Sequence, residues 1–226
     1  MLKIFCSKKR AVAVWLVIAL IITVCVSTAV VNSITAVGTG NDKTIVIDVG
    51  HGGRDGGVVG STGIKEADVN LGISKSLKHF LKEDGYNVIM TRESDVDLAY
   101  GNEFKKTDML ARKRIIDSAS PDLVVSIHQN SFPDKDVYGA QVFYAPSSDE
   151  GKRLAESMQT VLNANLSCSR MAKNGDYYII QCSPHLSVLV ECGFLSNPRE
   201  ESLLVTANYQ RKVAYSIYSS IKSFLS

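Results

Sequence analysis

The stretch TIVIDVG, residues 44–50, decides the fold, because it is a short run of β-branched and apolar residues that ends in glycine. Such a run is typical of a buried strand whose carboxyl end meets a loop. Four later runs have the same character: YNVIMT (residues 86–91), DLVVSIH (122–128), AQVFYA (140–145) and LSVLVE (186–191). The chain is therefore expected to contain one sheet of five strands.

Helical periodicity occupies most of the intervals between these strands. In residues 66–81 apolar side chains recur every three or four positions, at Val69, Ile73, Leu77 and Phe80. This spacing predicts an amphipathic helix, and similar segments lie at residues 108–118, 149–165 and 208–225. The alternation of strands and helices predicts a single α/β domain, with a central, mostly parallel sheet flanked by helices.

The first 42 residues differ from the rest in composition. Residues 1–10 are basic and are interpreted as a cytoplasmic segment, whereas residues 11–36 are uncharged and mostly apolar. A run of that length can span a bilayer about 30 Å thick, so it is interpreted as a transmembrane signal anchor or a signal peptide. Residues 37–42 have the composition of a linker, and the catalytic domain is expected at 43–226. Because the positive charge precedes the span, that domain should lie outside the cell membrane, or be exported if the signal is cleaved.

Charge and cysteine content argue against two other classes of protein. The net charge is +2, but four of the 25 basic residues lie in the first ten, so the remainder is slightly acidic and nucleic acid is not expected as a partner. Three cysteines, Cys168, Cys182 and Cys192, follow the N-terminal segment without a CxxC pair. They predict neither a disulfide framework nor a thiolate zinc site. A single Cys168–Cys182 bridge and free cysteines both remain compatible with the sequence.

Polar residues occur where three of the predicted strands end. His51 follows the first strand, His128 ends the third, and Glu191 ends the last. Glu66 begins the first helix and is close in sequence to His51. Ligand sites of open α/β sheets lie beyond the carboxyl ends of the strands, so we expect these four side chains to converge.

Two imidazoles and one carboxylate match a catalytic zinc site, in which three protein ligands leave one position for water. We predict that His51, Glu66 and His128 bind one Zn²⁺, which would promote amide hydrolysis near neutral pH. Glu191 is predicted to act as general base and then as proton donor to the leaving amine. Neighbouring polar residues either contact the substrate or only cap the strand and solvate the loop: Arg54, Gln129 and Asn130.

Several motifs, in this order, resemble those of the zinc-dependent N-acetylmuramoyl-L-alanine amidases of the amidase-3 type: IDVGHGG, Glu66 after a glycine-rich loop, Thr91-Arg92, SIHQN and VLVECGFLSN. The ordered set extends over residues 43–226. The resemblance implies that His51, Glu66 and His128 bind zinc, that Glu191 is catalytic, and that the bond between N-acetylmuramic acid and L-alanine of peptidoglycan is cut. The chain departs from the family's usual residues at Val49, Gly56, Ala67 and Gln129, none of which is a predicted ligand or base.

The layout, an anchored catalytic domain without a wall-binding module, resembles the spore-cortex amidases of this family. Their product is converted to the muramic δ-lactam that germination requires. Besides peptidoglycan and the membrane, an activating or positioning protein partner is expected, because the chain lacks a wall-binding module of its own. Two alternatives stay open: a zinc peptidase that cuts within the peptide stem, and a wall-binding or partner-binding module with little turnover alone.

Overall fold

A computed structural model describes residues 41–98 and 104–226, together with Trp15, Ile18 and Ile21, which are helical and exposed. The chain divides into two compact units, Met1–Gly40 and Asn41–Ser226. Apart from these three residues, the predicted membrane segment 11–36 lies outside the described residues. No helix in the described part of the chain is both long enough and apolar enough to cross a membrane.

Within the part of the chain that the structure describes, six strands form one mixed sheet in the order β2-β1-β3-β6-β4-β5. They are β1 Thr44–Val49, β2 Asn87–Met90, β3 Leu123–Asn130, β4 Gln141–Tyr144, β5 Lys173–Asn174 and β6 Ser187–Phe194. Only β4 and β6 pair in antiparallel fashion, and the other four pairings are parallel. The predicted α/β domain with a central sheet is therefore confirmed. The sheet is mixed, and it gains a two-residue strand that was too short to leave a pattern in the sequence.

In residues 41–98 and 104–226, five helices flank this sheet: α1 Glu66–Glu83, α2 Phe104–Ala119, α3 Asp149–Leu166, α4 Pro198–Leu204 and α5 Ala207–Leu225. Local signals set several of their ends. The hydroxyl of Ser148 accepts a hydrogen bond from the Gly151 amide at the start of α3, and Asn197 caps α4 in the same way with Pro198 next to it. Helix α4 and the 3₁₀ turn Tyr178–Ile180 leave no signal in the sequence, since neither is long enough to show helical periodicity.

Alternation along the strands separates two cores. Ile45, Ile47 and Val49 of β1 belong to the larger core, which also contains apolar residues of α1, α3 and α5. Val46 faces the opposite side and packs in a smaller core with Ile116 of α2. Because side chains alternate along a strand, Asp48 lies on the same side of β1 as Val46 and faces α2. The residues that alternation and strand register place on that side as well are Ser126, His128 and Glu191. The polar residues of the strands thus share one face.

Strands β3 and β6 run further than predicted and are irregular at their carboxyl ends. Glu191 lies within β6, where it is the register partner of His128, and Asn130 is then paired with Phe194. This shift between residues 128 and 130 is a bulge-like irregularity, a feature that often reorients side chains beside active sites. The regular register that precedes the shift places His128 and Glu191 side by side.

Candidate metal centre and active site

Three potential metal ligands converge at the carboxyl end of the sheet. One ligand atom from each of His51, Glu66 and His128 lies within 4.8 Å of the others. The two imidazole rings meet edge to face, with centroids 5.0 Å apart. Glu66 contacts both rings, because its Oε1 lies 2.9 Å from Nδ1 of His128 and its Oε2 lies 3.2 Å from Nε2 of His51. The cluster thus matches the predicted triad.

Glu66 is held in place by backbone and side-chain donors. It is the first residue of α1 and is only 2% exposed. Its Oε2 accepts a hydrogen bond from the Val58 amide at 3.0 Å, and its Oε1 accepts one from the Gln129 amide at 3.0 Å. Asn70, one helical turn later, donates to Oε1 at 3.3 Å. The carboxylate therefore has one orientation, between the two imidazoles.

A second carboxylate orients His51. Nδ1 of His51 lies 2.9 Å from Oδ2 of Asp55, so this nitrogen donates to the carboxylate and Nε2 faces Glu66. Such a carboxylate–histidine pair fixes the tautomer and raises the basicity of a metal-binding imidazole. In the sequence, the only sign of this role of Asp55 is its distance of four residues from His51.

The charges of the cluster are mutually dependent. Burial alone would lower the pKa of His51, but hydrogen bonds and charge from Glu66 and Asp55 outweigh it and raise this pKa to about 9. Burial alone would raise the pKa of Glu66, yet the two imidazoles hold it well below its ordinary value. The site therefore favours positive charge beside a carboxylate. With two imidazoles and one carboxylate as donors, it fits a catalytic Zn²⁺, whose binding would release protons.

Glu191 is a buried acid on the same face. It is 9% exposed, and its Oε2 has no hydrogen-bond partner among the described residues. Burial raises the pKa of this carboxyl to about 7, with Glu66 adding to the rise and the imidazoles opposing it. A carboxylate with a pKa near neutrality is suited to accept a proton and later return it. Its position next to His128 agrees with the predicted role of general base.

A cleft of about 590 Å³ opens above these groups. Its lining includes Lys105 and Met109 of α2 and residues 177–179 around the 3₁₀ turn. Tyr177 stacks edge to face on Phe143, with centroids 5.1 Å apart, and burial, together with the charge of Glu191, raises the pKa of its phenol. The volume lies in the range of ordinary ligand sites. Nothing in the sequence marks Tyr177 as a residue that lines the cleft.

The three candidates for substrate contacts differ in position. Asn130 lines the cleft, and its side chain accepts a hydrogen bond from the Ser131 amide at 2.7 Å. Gln129 is only 3% exposed. Its side-chain amide donates to Asn70 at 3.0 Å and so helps to hold the Asn70 side chain that donates to Glu66. Arg54 lies outside the cleft lining and donates to Asp97 at 2.7 Å. Substrate binding by these residues stays a prediction.

The cysteines of the body are free. Cys168 and Cys182 are partly buried and Cys192 is fully buried, and these three residues form no disulfide. Burial raises the pKa of all three thiols, Cys192 most of all. Cys192 follows Glu191 but packs in the larger core, away from the cleft face. Its high pKa and burial are typical of a structural cysteine rather than a nucleophile.

Comparison with known proteins identifies the group to which this architecture is related. The profile of the N-acetylmuramoyl-L-alanine amidase family matches residues 45–223. The germination-specific N-acetylmuramoyl-L-alanine amidase of Bacillus subtilis is 41% identical over 187 residues, which are 79% of this chain and 78% of that protein.

Two solved structures are also similar. The CwlD amidase of Clostridioides difficile, solved in complex with the GerS lipoprotein, superposes with a TM-score of 0.79 and 36% identity over 81% of this chain and 98% of that one. The amidase AmiC2 of Nostoc punctiforme gives a TM-score of 0.72 and 29% identity over 82% and 98% of the two chains. The resemblance inferred from the sequence motifs is confirmed.

Proposed function

The chain belongs to the N-acetylmuramoyl-L-alanine amidase family and is an amidase that acts on peptidoglycan; from this premise we propose that it uses one Zn²⁺ bound by His51, Glu66 and His128, with Glu191 as its general base. The observation that carries the proposal is the convergence of the three ligand atoms within 4.8 Å, beside a buried carboxylate with an unpartnered oxygen. The substrate bond joins the lactyl group of N-acetylmuramic acid to L-alanine. Membership of the family does not by itself identify the divalent cation. The two imidazoles and one carboxylate of the site favour zinc.

The residues of the chain divide the chemical work. When bound, zinc would polarise the amide carbonyl and lower the pKa of water. Glu191 accepts the proton that water loses as it attacks the carbonyl carbon. As the C–N bond breaks, the same carboxyl donates this proton to the nitrogen of L-alanine, which therefore leaves as a neutral amine. Asp55 and Asn70 keep His51 and Glu66 oriented throughout.

Product analysis tests this assignment. Purified protein with one equivalent of Zn²⁺ should release stem peptides with a free N-terminal L-alanine from intact peptidoglycan, as mass spectrometry would show. Glu191→Gln should lower the rate by about 100- to 10,000-fold, the usual contribution of a general base. Glu156→Gln, an exposed substitution on α3, is the matched control and should retain the rate. Cleavage inside the stem would favour the peptidase alternative, and full activity of Glu191→Gln would overturn the base.

We further propose a role in maturation of the spore cortex, on the strength of the similarity to a germination-specific amidase. Removal of the amidase from a spore-forming host should leave spores without muramic δ-lactam, measured by muropeptide chromatography. Restoration of the lactam by the wild-type chain, but not by Glu191→Gln, would support the role. Spores with a normal lactam content would argue against it.

Localisation and partnership form a third proposal. We propose that residues 11–36 hold the chain at the membrane with the catalytic unit outside, because the uncharged run follows a basic segment. The related CwlD amidase was solved with a lipoprotein, which supports a protein partner here. Protease added to intact cells should then digest the catalytic unit. Membrane extract of the host, added to the purified chain, should raise the rate of peptidoglycan cleavage, and an unchanged rate would argue against a partner.

A further inference from the structure

Two buried arginines converge on the backbone that carries His51. Arg92 and Arg112 are 3% and 1% exposed, and both donate to the carbonyl oxygen of His51, at 2.6 Å from Nε of Arg92 and 2.9 Å from Nη2 of Arg112. Arg112 also donates to the Val49 carbonyl at 2.7 Å, and Arg92 donates to the Gly50 carbonyl at 3.0 Å. Three successive carbonyls are therefore bound by guanidinium groups. We call residues 49–51 the His51 turn.

The His51 turn has a conformation that the chain does not adopt by default. His51 has a φ of 58°, in the left-handed region that side chains other than glycine rarely occupy. The next two residues, Gly52 and Gly53, also have positive φ values, of 135° and 58°. The ordinary preferences of the backbone thus do not explain how the imidazole comes to face Glu66. External contacts must select this conformation.

The two arginines are themselves anchored from different elements. Arg112 of α2 pairs with Asp48 at 2.8 Å and with Asp108 at 2.6 Å, and Ser126 of β3 donates to Asp48 at 2.6 Å. Arg92 follows β2, and its remaining hydrogen bonds go to the carbonyl oxygens of Val49, of Ala67 in α1 and of Ser94. The His51 turn is therefore tied to α1, α2 and β2 at once.

We propose that Arg92 and Arg112 are positioning residues of the metal centre, which fix the His51 turn so that Nε2 of His51 meets the other two ligands. The inference rests on the proposed zinc site. Both residues act through backbone carbonyls and touch neither the ligand atoms nor the reacting bond. A guanidinium is suited to this task because it presents several donors in one rigid plane, whereas a lysine ammonium is a compact charge on a flexible stem. Lysine substitutions therefore keep the charge and remove the planar arrangement.

Metal affinity provides the test. Arg92→Lys and Arg112→Lys are prepared metal-free, and Zn²⁺ binding is measured by competition with a chromophoric chelator, with circular dichroism to verify folding. Loss of a supporting residue of this type usually weakens metal affinity by about 10- to 100-fold. We expect that loss in both variants, together with an altered visible spectrum of the Co²⁺-substituted protein. Leu154→Ala is the control, because it opens a cavity under α3, a helix that carries none of the three proposed ligands, and should lower stability without weakening zinc binding.

The outcomes separate the two ideas. If wild type binds no zinc, the proposed function fails. If wild type binds zinc and either folded lysine variant binds it with unchanged affinity and an unchanged Co²⁺ spectrum, the positioning role of that arginine is overturned. A loss of affinity as large in Leu154→Ala would show that general destabilisation explains the effect, and would also overturn the inference. Should Arg112→Lys fail to fold beside Asp48, Arg92→Lys decides, because the hydrogen bonds described for Arg92 all go to carbonyl oxygens.

Discussion

Glu191 combines two properties that normally exclude each other, since it is buried with a free oxygen and must also carry charge during catalysis. An isolated carboxylate in an apolar region is unfavourable, and its pKa rises as a result. The position between β-strand neighbours Val190 and Cys192, both fully buried, leaves the side chain only the cleft to face. Stability is thus reduced at the one residue where the chemistry requires a poised proton acceptor.

This leads to a pH-dependent prediction for the metal-free protein. The pKa of Glu191 is about 7 when folded against an ordinary value of 4.5, so the folded state holds the proton more tightly. As pH rises through this window, the unfolded chain loses its proton first and unfolding becomes easier. The shift corresponds to about 3 kcal/mol. Glu191→Gln should therefore gain about 3 kcal/mol over wild type at pH 8, and almost nothing at pH 4, in urea denaturation. A pH-independent difference would contradict the account.

Asp55 provides a second prediction for a single residue. Because its carboxylate orients His51, Asp55→Ala should weaken Zn²⁺ affinity by about 10- to 100-fold, measured by chelator competition. Asp55→Asn keeps an acceptor without the charge and should fall between wild type and Asp55→Ala. Equal affinities in all three proteins would show that the Asp55 contact does not contribute to metal binding.

The sequence located the reactive residues better than the residues that support them. His51, His128 and Glu191 could be selected because polar residues at the ends of apolar strands are conspicuous. Arg112 could not, since in the sequence it is one of several charged residues of a helix, and its complete burial depends on how α2 packs against β1. Arg92 was noted only as part of a motif, without a physical role.

The loop between β1 and α1 shows how an element shapes the site. Gly57 has a φ of 66°, and a Cβ placed on it would lie 2.5 Å from Oε2 of Glu66 and 2.8 Å from the ring of His51. The backbone therefore approaches two ligands more closely than any side chain allows. Gly63 in the same loop has a φ of 88° but open space around it. The two glycines share a backbone requirement and differ in their surroundings.

This pair of glycines permits a matched comparison. Gly63→Ala should lose about 1–2 kcal/mol of stability, because alanine disfavours the left-handed region, and Gly57→Ala should lose more, because its methyl group also clashes with Glu66 and His51. Only Gly57→Ala should also lose zinc affinity, as the new methyl group displaces Glu66 or His51. Thermal unfolding and zinc titration measure the two effects. Similar zinc affinities in both variants would show that close approach at Gly57 is not required.

Helix α4, which follows β6, binds the loop between β1 and α1. Glu201 is 1% exposed and accepts hydrogen bonds from the Thr62 amide at 2.8 Å, the Thr62 hydroxyl at 2.7 Å and the Ser61 hydroxyl. Glu201→Ala should lower the free energy of unfolding by about 2–3 kcal/mol and increase amide exchange in residues 57–65, measured by hydrogen–deuterium exchange. Ser61→Ala removes one bond and should have a smaller effect. Unchanged amide exchange in Glu201→Ala would show that Glu201 does not hold the loop in place.

Elements with long patterns were predictable and short ones were not. The strands at residues 44–50 and 122–128 and the helix at 66–81 followed from periodicity, with ends displaced by a few residues. Helix α4 spans seven residues, and β5 has two, so no period can develop in either. The antiparallel pairing of β4 depends on tertiary contacts that alternation alone does not reveal.

At the scale of the whole molecule, metal binding is coupled to folding of the unit Asn41–Ser226. The ligands come from β3, from the start of α1 and from the turn after β1, so the folded unit alone brings them together. Zinc at 100 times its Kd should then stabilise the protein by about 2.7 kcal/mol, and a chelator should reverse this. Differential scanning calorimetry with and without Zn²⁺ measures the shift, and an equal shift in His128→Ala would place the metal elsewhere.

The most direct test of the central claim is a titration of metal-free protein with Zn²⁺, in which free L-alanine amino groups released from peptidoglycan are counted at each step. Amidase activity should rise linearly with added Zn²⁺ and saturate at one equivalent. Glu191→Gln should bind the same single equivalent without releasing stem peptides. Amide cleavage without any divalent cation, or turnover by the zinc-loaded Glu191→Gln variant, would contradict the central claim.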